Sequence, residues 1–301
     1  MNAFFAIAAL VAAAVATDKS PESPSSVPSG TWPDGKKAAF YLSFDDGCPT
    51  QTTNVFPLLE KYRIPGTFYV CPGWDLFKKY ESAWSNANEY VFLGNHTMTH
   101  GKIPDKAALD KELAECNAAI ARLRPGQKGP ISFAIPSAES MHSVLEITDE
   151  EIAETYKRHN LVERWLWHGY PVQCKTIPEM EAYVDAVIES GGVGHMDFHG
   201  VGGDWLDPGL EYFEALMKKL DSRRSELWFA THIQIYERLN RKKLKTGNCP
   251  LAFARGFLVY YTPFPRIGEV AQLVEHHVRN VGVESSNLFF STILSGGYVG
   301  L

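Results

Sequence analysis

The stretch Phe40-Tyr41-Leu42-Ser43-Phe44-Asp45-Asp46-Gly47 decides the fold. Its first five residues are apolar or small, which is typical of a strand buried on both faces of a parallel sheet. Ligands of α/β folds bind at the C-terminal ends of the strands, so Asp45 and Asp46 are candidates for a ligand site. Two adjacent buried carboxylates are costly unless a cation or hydrogen bonds share their charge. A plain turn or a helix N-cap is the alternative interpretation.

A second motif, Gly94-Asn95-His96-Thr97-Met98-Thr99-His100, follows the strand-like run from Tyr90 to Leu93. On a helical turn the i, i+4 spacing places His96 and His100 on one face, in the geometry of a chelating pair. An isolated pair of this kind often arises by chance. Joined by an Asp, the two imidazoles would give three protein ligands and leave a position open, as in catalytic rather than structural metal sites.

Between residues 37 and 245 strand-like runs alternate with segments of helical periodicity, which predicts an α/β fold with a parallel sheet or barrel of about seven β/α units. The clearest amphipathic helix spans Asp105 to Arg124, with Asp105 as N-cap. Further helices are expected from Thr53 to Tyr62, with Pro57 in or near the first turn, and from Trp74 to Asn88.

Composition excludes some classes of function. The chain has 301 residues, 45% of them hydrophobic, and a formal net charge of −6. A nucleic-acid surface needs a basic patch, so this charge argues against a nucleic-acid partner. The five cysteines show no CxxC spacing, which argues against a cysteine zinc site, and their odd number selects no disulfide pairing.

The ends of the chain differ from its centre. Residues 1–16 contain an uncharged apolar run shorter than a membrane span and end in Ala-Val-Ala, which predicts a cleaved signal peptide and a secreted or periplasmic protein. A retained membrane anchor is the alternative, because no Lys or Arg precedes the run. Residues 17–36 are rich in Pro and Ser and predict a flexible spacer before a domain at 37–245.

The tail, residues 246–301, breaks the β/α alternation. Residues 268–292 resemble the translation of a bacterial tRNA gene, so read-through into a segment that is not native to the fold is one interpretation. A genuine amphipathic helix is the other. For this reason His276 and His277 are not ligand candidates.

YLSFDDG and NHTMTH resemble the first two motifs of the NodB-type polysaccharide deacetylases, carbohydrate esterase family 4. The runs TFYV at 67–70 and FHG at 198–200 also fit, and the resemblance covers roughly residues 37–240. It implies a distorted (β/α)7 barrel and a metal-dependent hydrolase that removes N-acetyl groups from a chitin- or peptidoglycan-like polysaccharide or oligosaccharide. In keeping with the net charge, no nucleic-acid partner is expected, and no stable membrane span is expected once the signal peptide is cleaved.

The resemblance also assigns roles. Asp46, His96 and His100 would hold one divalent metal, most simply Zn²⁺, with Co²⁺, Ni²⁺ or Mn²⁺ left open. The metal would polarise the acetamide carbonyl and lower the pKa of water. Asp45 would be the general base and His199 the general acid that protonates the departing amine.

Two further residues are candidates for contacting the substrate: Cys48, through a backbone N–H that would stabilise the oxyanion, and Trp205, by stacking on a sugar ring. The chain departs from the family pattern at Ala134, where an Arg that pairs with the catalytic Asp is expected. Another cation could substitute, the rate could fall, or the substrate could be unusual. The Asp that tunes the acid histidine is also unassigned, with Asp185 and Asp204 as weak candidates.

Two alternative functions therefore stay open. One is a carbohydrate-binding protein that keeps the barrel and the metal without turnover, as the missing Arg would allow. The other is an esterase that removes O-acetyl groups from a plant polysaccharide such as xylan.

Overall fold

A computed structural model describes residues 30–136, 147–164 and 174–245. All of them belong to a compact unit that spans residues 1–249, and a second unit covers residues 250–301. The predicted signal peptide, most of the predicted spacer and the atypical tail lie outside the described residues.

Seven strands form one sheet in which every pairing is parallel, in the order β5-β4-β3-β2-β1-β6, with β7 also paired to β1. This confirms the predicted α/β fold with seven parallel strands. The strands are β1 (Ala38–Phe44), β2 (Gly66–Val70), β3 (Val91–Asn95), β4 (Ile131–Phe133), β5 (Leu161–Glu163), β6 (Val193–Phe198) and β7 (Leu227–Phe229).

Strand β1 is the centre of this sheet, and all seven of its residues are buried. It pairs with β6 over residues 39–44, with β2 over residues 42–44 and with β7 over residues 38–40. A strand has two hydrogen-bonding edges, so β2 and β7 share the edge that β6 leaves free. The curl that admits three neighbours places the Asp45-Asp46 turn in the middle of the C-terminal end of the sheet.

Side chains on β1 alternate between two environments, as the pleat requires. Phe44 stacks on Phe68 of β2 and Phe198 of β6, with ring centroids 4.5 and 5.5 Å apart, in the apolar layer that faces the helices. Tyr41 and Ser43 point to the opposite face, which also holds buried polar side chains. The sheet therefore has an apolar outer layer and a polar interior that leads to Asp45.

Helices connect the strands on the outside of the sheet. A π-helical turn at Gln51–Val55 runs directly into the first α-helix, and Pro57 occupies its first turn, as predicted. The α-helices are α1 (Phe56–Tyr62), α2 (Asp75–Lys79), α3 (Glu81–Ser85), α4 (Lys106–Leu123), α5 (Asp149–Arg158), α6 (Ile177–Ser190), α7 (Leu210–Ser222) and α8 (His232–Lys245). Across the described ranges, no helix combines the length and the apolar composition that a bilayer span requires.

The helix predicted from Trp74 to Asn88 is wrong in its extent. The segment forms two five-residue helices, α2 and α3, which meet at Tyr80, a non-helical residue with φ −107° and ψ 9°. Phe77 and Trp84 stack from the two helices with centroids 5.3 Å apart, so burying both rings against the sheet outweighs helical continuity. By contrast, Asp105 caps α4 as predicted, accepting a hydrogen bond from the Ala108 N–H.

The folded region begins before residue 37, where the predicted spacer was expected to end. Trp32 is buried, packs against Ala39, Tyr41 and Val193, and donates its indole N–H to the Gly191 carbonyl at 2.8 Å. The local density of Pro, Ser and Gly concealed one aromatic anchor, since a single large side chain can dock a polar segment.

Replacing Trp32 with alanine is expected to lower the free energy of unfolding by about 3–5 kcal/mol, because a buried ring and its hydrogen bond are both lost. Urea unfolding followed by circular dichroism measures this change. Asp34→Ala, two residues away, is the control and should leave the midpoint unchanged. A spacer that does not dock would give the same midpoint for both variants.

Candidate metal centre and acid–base site

Three side chains converge at the C-terminal end of β1 and β3. Asp46 Oδ1 lies 3.3 Å from His96 Nε2 and 3.5 Å from His100 Nε2. One ligand atom from each residue lies within 4.8 Å of the others, so together they can hold a metal ion. Asp46 and His96 are buried and His100 is half-buried. The structure therefore brings together the three residues proposed as ligands.

The predicted reason for the histidine pair is wrong, because the segment after β3 is a loop and not a helical turn. Thr97 and His100 have φ values of 63° and 53°, in the left-handed region. The Asn95 carboxamide oxygen accepts the Thr97 N–H at 2.8 Å, and the Thr97 hydroxyl oxygen accepts the His100 N–H at 3.0 Å. These side-chain bonds compete with helical bonds and fold the loop so that both imidazoles still point to one place.

The donor set fits a divalent cation. Asp46 Oδ1 is buried and has no hydrogen-bond partner among the described residues, which leaves a carboxylate oxygen aimed between two imidazoles. His96 Nδ1 lies 2.8 Å from the Ala134 carbonyl oxygen, which can only accept a hydrogen bond. His96 therefore carries its proton on Nδ1 and keeps an Nε2 lone pair for a metal, as metal-binding histidines usually do when the other ring nitrogen donates to a carbonyl. One carboxylate oxygen and two nitrogens suit Zn²⁺ and similar ions.

Asp45, the predicted base, is held by an arginine that the sequence did not identify. Arg164 follows β5, and its guanidinium donates to both carboxylate oxygens of Asp45, at 2.7 and 2.9 Å. The same guanidinium donates to Asp197 at 2.8 Å and lies over the Tyr69 ring, 4.5 Å from its centroid. Both members of the Asp45–Arg164 pair are buried, so the contact is a bidentate, desolvated ion pair.

Arg164 replaces the arginine expected at position 134, and strand register explains how. Phe133 of β4 pairs with Glu163 of β5, so Ala134 and Arg164 are the next residues of two adjacent parallel strands. The arginine is thus on the neighbouring strand, at the same level of the sheet as the position where it was expected. Ala134 itself contributes its carbonyl oxygen, which orients His96.

The charges around Asp45 keep it ionised. Burial alone would raise the pKa of this carboxyl, but Arg164, His96 and His199 outweigh burial and lower the pKa to about 2. Burial raises the pKa of Asp197, and its neighbour Arg164 only partly opposes that shift. Asp45 is therefore the carboxylate of this pair that is best stabilised in its ionised form.

A buried polar network supports Arg164 from inside the sheet. The Ser43 hydroxyl donates to Asp197 and lies 2.7 Å from His195 Nε2. Burial and the nearby Arg164 charge lower the pKa of His195, so the imidazole is neutral and structural. His195, Asp197 and His199 occupy alternate positions after Gly194, and this polar period of two was the signal in the sequence that could have placed Asp197 in the site.

His199, the predicted acid, lies beside the metal ligands. Its Nε2 is 3.8 Å from Asp46 Oδ2, and its carbonyl oxygen accepts the Gln51 side-chain N–H at 3.0 Å. The candidates for tuning it are engaged elsewhere: Asp185 pairs with Lys219 and Arg223 between helices, and Asp204 accepts hydrogen bonds from Thr50. The charge of His199 instead interacts with three nearby carboxylates, Asp45, Asp46 and Asp197.

Cys48 and Trp205 lie at two sides of the Asp46 turn. Cys48 is buried, and burial raises the pKa of its thiol, so the side chain is a packing group while its backbone N–H stays the predicted oxyanion donor. Trp205 is half-buried and donates its indole N–H to Asp46 Oδ2 at 2.7 Å. Its ring lies 6.1 Å from that of Trp74, and stacking of the Trp205 ring on a sugar stays a prediction.

Comparison with known proteins agrees with this geometry. The sequence model of the family described as Polysaccharide deacetylase matches residues 33–154. A chitooligosaccharide deacetylase of Rhizobium leguminosarum bv. trifolii is 36% identical over 28% of this chain and 40% of its own length. A chitooligosaccharide deacetylase of Sinorhizobium fredii is 29% identical over 50% of this chain and 66% of its own length. The chain thus spans between about two fifths and two thirds of these relatives.

Solved structures show the same fold. One, assigned as a polysaccharide deacetylase of Mycobacterium smegmatis, has a TM-score of 0.54 at 16% identity, over 73% of this chain and 94% of its own. The catalytic domain of a peptidoglycan N-acetylglucosamine deacetylase of Eubacterium rectale has a TM-score of 0.51 at 17% identity, over 70% of this chain and 93% of its own. At these identities the comparison establishes the fold alone.

Proposed function

We propose that the chain is a member of the polysaccharide deacetylase family, whose sequence model matches residues 33–154, and that it is a metal-dependent hydrolase that removes N-acetyl groups from an amino-sugar polysaccharide or oligosaccharide. The observation that carries the proposal is the pairing of an Asp-His-His cluster with an adjacent, arginine-held carboxylate at one end of the sheet. The similar chitooligosaccharide deacetylases support a chain of acetylated amino sugars as the substrate.

Asp46, His96 and His100 would hold the cation, which when bound would polarise the acetyl carbonyl and lower the pKa of water. Asp45 is then the proton acceptor. Each of its oxygens accepts one hydrogen bond from Arg164 and keeps a second lone pair, so the carboxylate is fixed in orientation while it can still take a proton. The two roles fit the position of these residues next to each other in the chain, with Asp46 in the ligand cluster and Asp45 beside it.

His199 supplies the second proton transfer in this scheme. When the C–N bond breaks, the sugar nitrogen leaves as an amine and needs a proton, which an imidazolium at the rim of the site can donate. Its position 3.8 Å from Asp46 Oδ2 places it on the side of the ligand cluster that Trp205 also borders. The Cys48 backbone N–H would stabilise the developing oxyanion.

A binding protein without turnover is the second hypothesis, and Arg164 argues against it. Loss of the arginine at position 134 would suggest lost catalysis if nothing replaced it, but Arg164 supplies the same charge to Asp45. Removal of O-acetyl groups from a plant polysaccharide uses the same site chemistry, because the cation and the base act on the same acyl carbon. It differs in the leaving group, an alcohol oxygen, which depends less on protonation by the general acid than an amine nitrogen does.

Acetate release separates these functions. The purified protein with added Zn²⁺ or Co²⁺ is expected to release acetate from chitooligosaccharides or peptidoglycan, and to lose this activity on treatment with a chelator. Release from acetylxylan alone would support the esterase. Binding of these glycans without release in the presence of either metal would reject the enzymatic proposal in favour of the binding protein.

A further inference from the structure

We propose that Trp205 is a positioning residue for the metal site: its indole N–H holds Asp46 so that only Oδ1 faces the cation. The two oxygens of Asp46 have different surroundings. Oδ1 is buried, faces His96 and His100, and has no hydrogen-bond partner among the described residues. Oδ2 accepts the Trp205 indole N–H at 2.7 Å. The inference rests on the metal part of the proposed function.

The indole bond determines how Asp46 can bind a metal. A carboxylate can bind with one oxygen or with both, and an indole N–H can only donate. A hydrogen bond to Oδ2 turns that oxygen towards Trp205 and makes Oδ1 the metal-facing atom. Binding through one oxygen leaves one more coordination position for water or the acetyl carbonyl than binding through two would. Trp205 therefore keeps one coordination position of the metal free for water or substrate.

The loop that carries Trp205 is built to hold it. Gly200 N–H donates to the Trp205 carbonyl at 2.9 Å, and a Cβ on Gly200 would lie 2.0 Å from the Gly203 carbonyl oxygen, so the chain closes tightly there. The Asp207 carboxylate accepts the N–H groups of Gly202 and Gly203, each at 2.7 Å. Such a loop can hold an indole in one place without support from a helix or strand.

Asp204 ties the same loop to the segment that follows Asp46. Its carboxylate accepts the Thr50 backbone N–H at 2.8 Å and the Thr50 hydroxyl at 2.7 Å. The loop and the Asp46 turn are thus anchored to each other at two points, Asp204–Thr50 and Trp205–Asp46. Asp204 therefore holds the loop in place and does not tune the acid histidine.

Metal affinity of the full-length protein tests the proposal. Trp205→Phe keeps the ring and removes the N–H, and it is expected to weaken Zn²⁺ affinity about tenfold, measured by competition with a chromogenic chelator. The visible spectrum of the Co²⁺ protein should change as well, since Asp46 is free to bind with both oxygens. Unchanged Zn²⁺ affinity and an unchanged Co²⁺ spectrum would overturn the proposal.

Trp74→Phe is the matched control. Trp74 borders Trp205, is likewise half-buried, and has its ring 5.5 Å from that of His100. Trp74→Phe keeps an aromatic ring there and removes only an indole N–H that donates to the Thr99 backbone carbonyl at 2.7 Å, not to a metal ligand. Its removal should change Zn²⁺ affinity by less than about threefold. An equal loss in both variants would show that the aromatic border as a whole, and not the bond to Asp46, matters, which would also overturn the proposal.

A measurement on the unmutated protein covers the case in which Trp205→Phe does not fold. The Trp205 indole proton should exchange slowly with solvent in the metal-free protein, and its NMR resonance should move on addition of Zn²⁺. Fast exchange and a resonance insensitive to Zn²⁺ would refute the bond. Neither experiment measures deacetylation, so a protein that binds metal as described but releases no acetate would reject the proposed function and leave the role of Trp205 standing.

Discussion

Replacing Arg164 with methionine is expected to lower kcat for acetate release by at least about 100-fold, because the proposed base loses the group that orients it and keeps it ionised. The guanidinium is the bidentate partner of Asp45 and also a partner of Asp197. Without it, a principal charge that opposes the effect of burial is lost and the pKa of Asp45 rises. Protonation of the base then begins at higher pH, so the acidic limb of the kcat/KM profile should move upward.

The same substitution should also destabilise the fold. Two buried carboxylates lose their shared counter-charge, and breaking a buried ion pair by removing one partner costs about 3–5 kcal/mol. Urea unfolding at neutral pH measures this loss. Arg158→Met is the matched control, because Arg158 pairs with Asp110 where both side chains are about half exposed. Such a surface pair contributes about 1 kcal/mol or less. Equal effects of the two variants on stability and rate would contradict the role of Arg164.

An arginine introduced at position 134 gives a rescue test for the role of Arg164. Ala134 is the lateral neighbour of Arg164 on the adjacent strand and is buried at the same level of the sheet. Adding Ala134→Arg to an Arg164→Ala background returns a guanidinium to this level of the sheet, and it should recover part of the lost rate. Arg164→Lys should recover less, because an ammonium keeps the charge without the planar fork that matches a carboxylate.

Strand β1 could be predicted from the sequence because its chemistry is local. An apolar run from Phe40 to Phe44, followed at once by two carboxylates, needs no partner strand to be interpreted as a buried strand and the turn that ends it. The two imidazoles of the histidine motif lie together as predicted, but in a loop and not on a helical turn. His96 and His100 meet because Asn95 and Thr97 form a loop with left-handed residues, and spacing alone does not distinguish that loop from a helical turn.

Arg164 could not be predicted, because its position depends on pairing between strands distant in sequence. Nothing near Arg164 in the chain indicates that β5 lies beside β4 or that its register places the guanidinium next to Ala134. Trp205 shows the same limit. Its aromatic ring suggested a sugar contact, but only the folded loop reveals that its N–H is bonded to Asp46. The role of a residue that acts through another residue can be assigned only when its tertiary contacts are known.

Separating the base from the metal ligands gives the other large expected effect. Asp45→Asn should lower kcat by about 10²–10⁴-fold, the usual contribution of a general base, because an amide cannot accept the proton of water. It keeps the shape of the side chain and leaves Asp46, His96 and His100 in place. Metal content measured by mass spectrometry should therefore stay at the level of the unmutated protein.

His96→Ala should instead lose both metal and activity. It removes one of three ligands together with the bond to the Ala134 carbonyl that orients it. His159→Ala is the control, since His159 is a half-buried imidazole whose Nε2 contacts Asp110, away from the ligand cluster; it should keep metal and rate. Both Asp45→Asn and His96→Ala should lose turnover, but only His96→Ala should lose the metal. This difference would show that the two residues have separate roles. Loss of metal in Asp45→Asn would mean that Asp45 is itself a ligand, and full activity in His96→Ala would remove the metal from the mechanism.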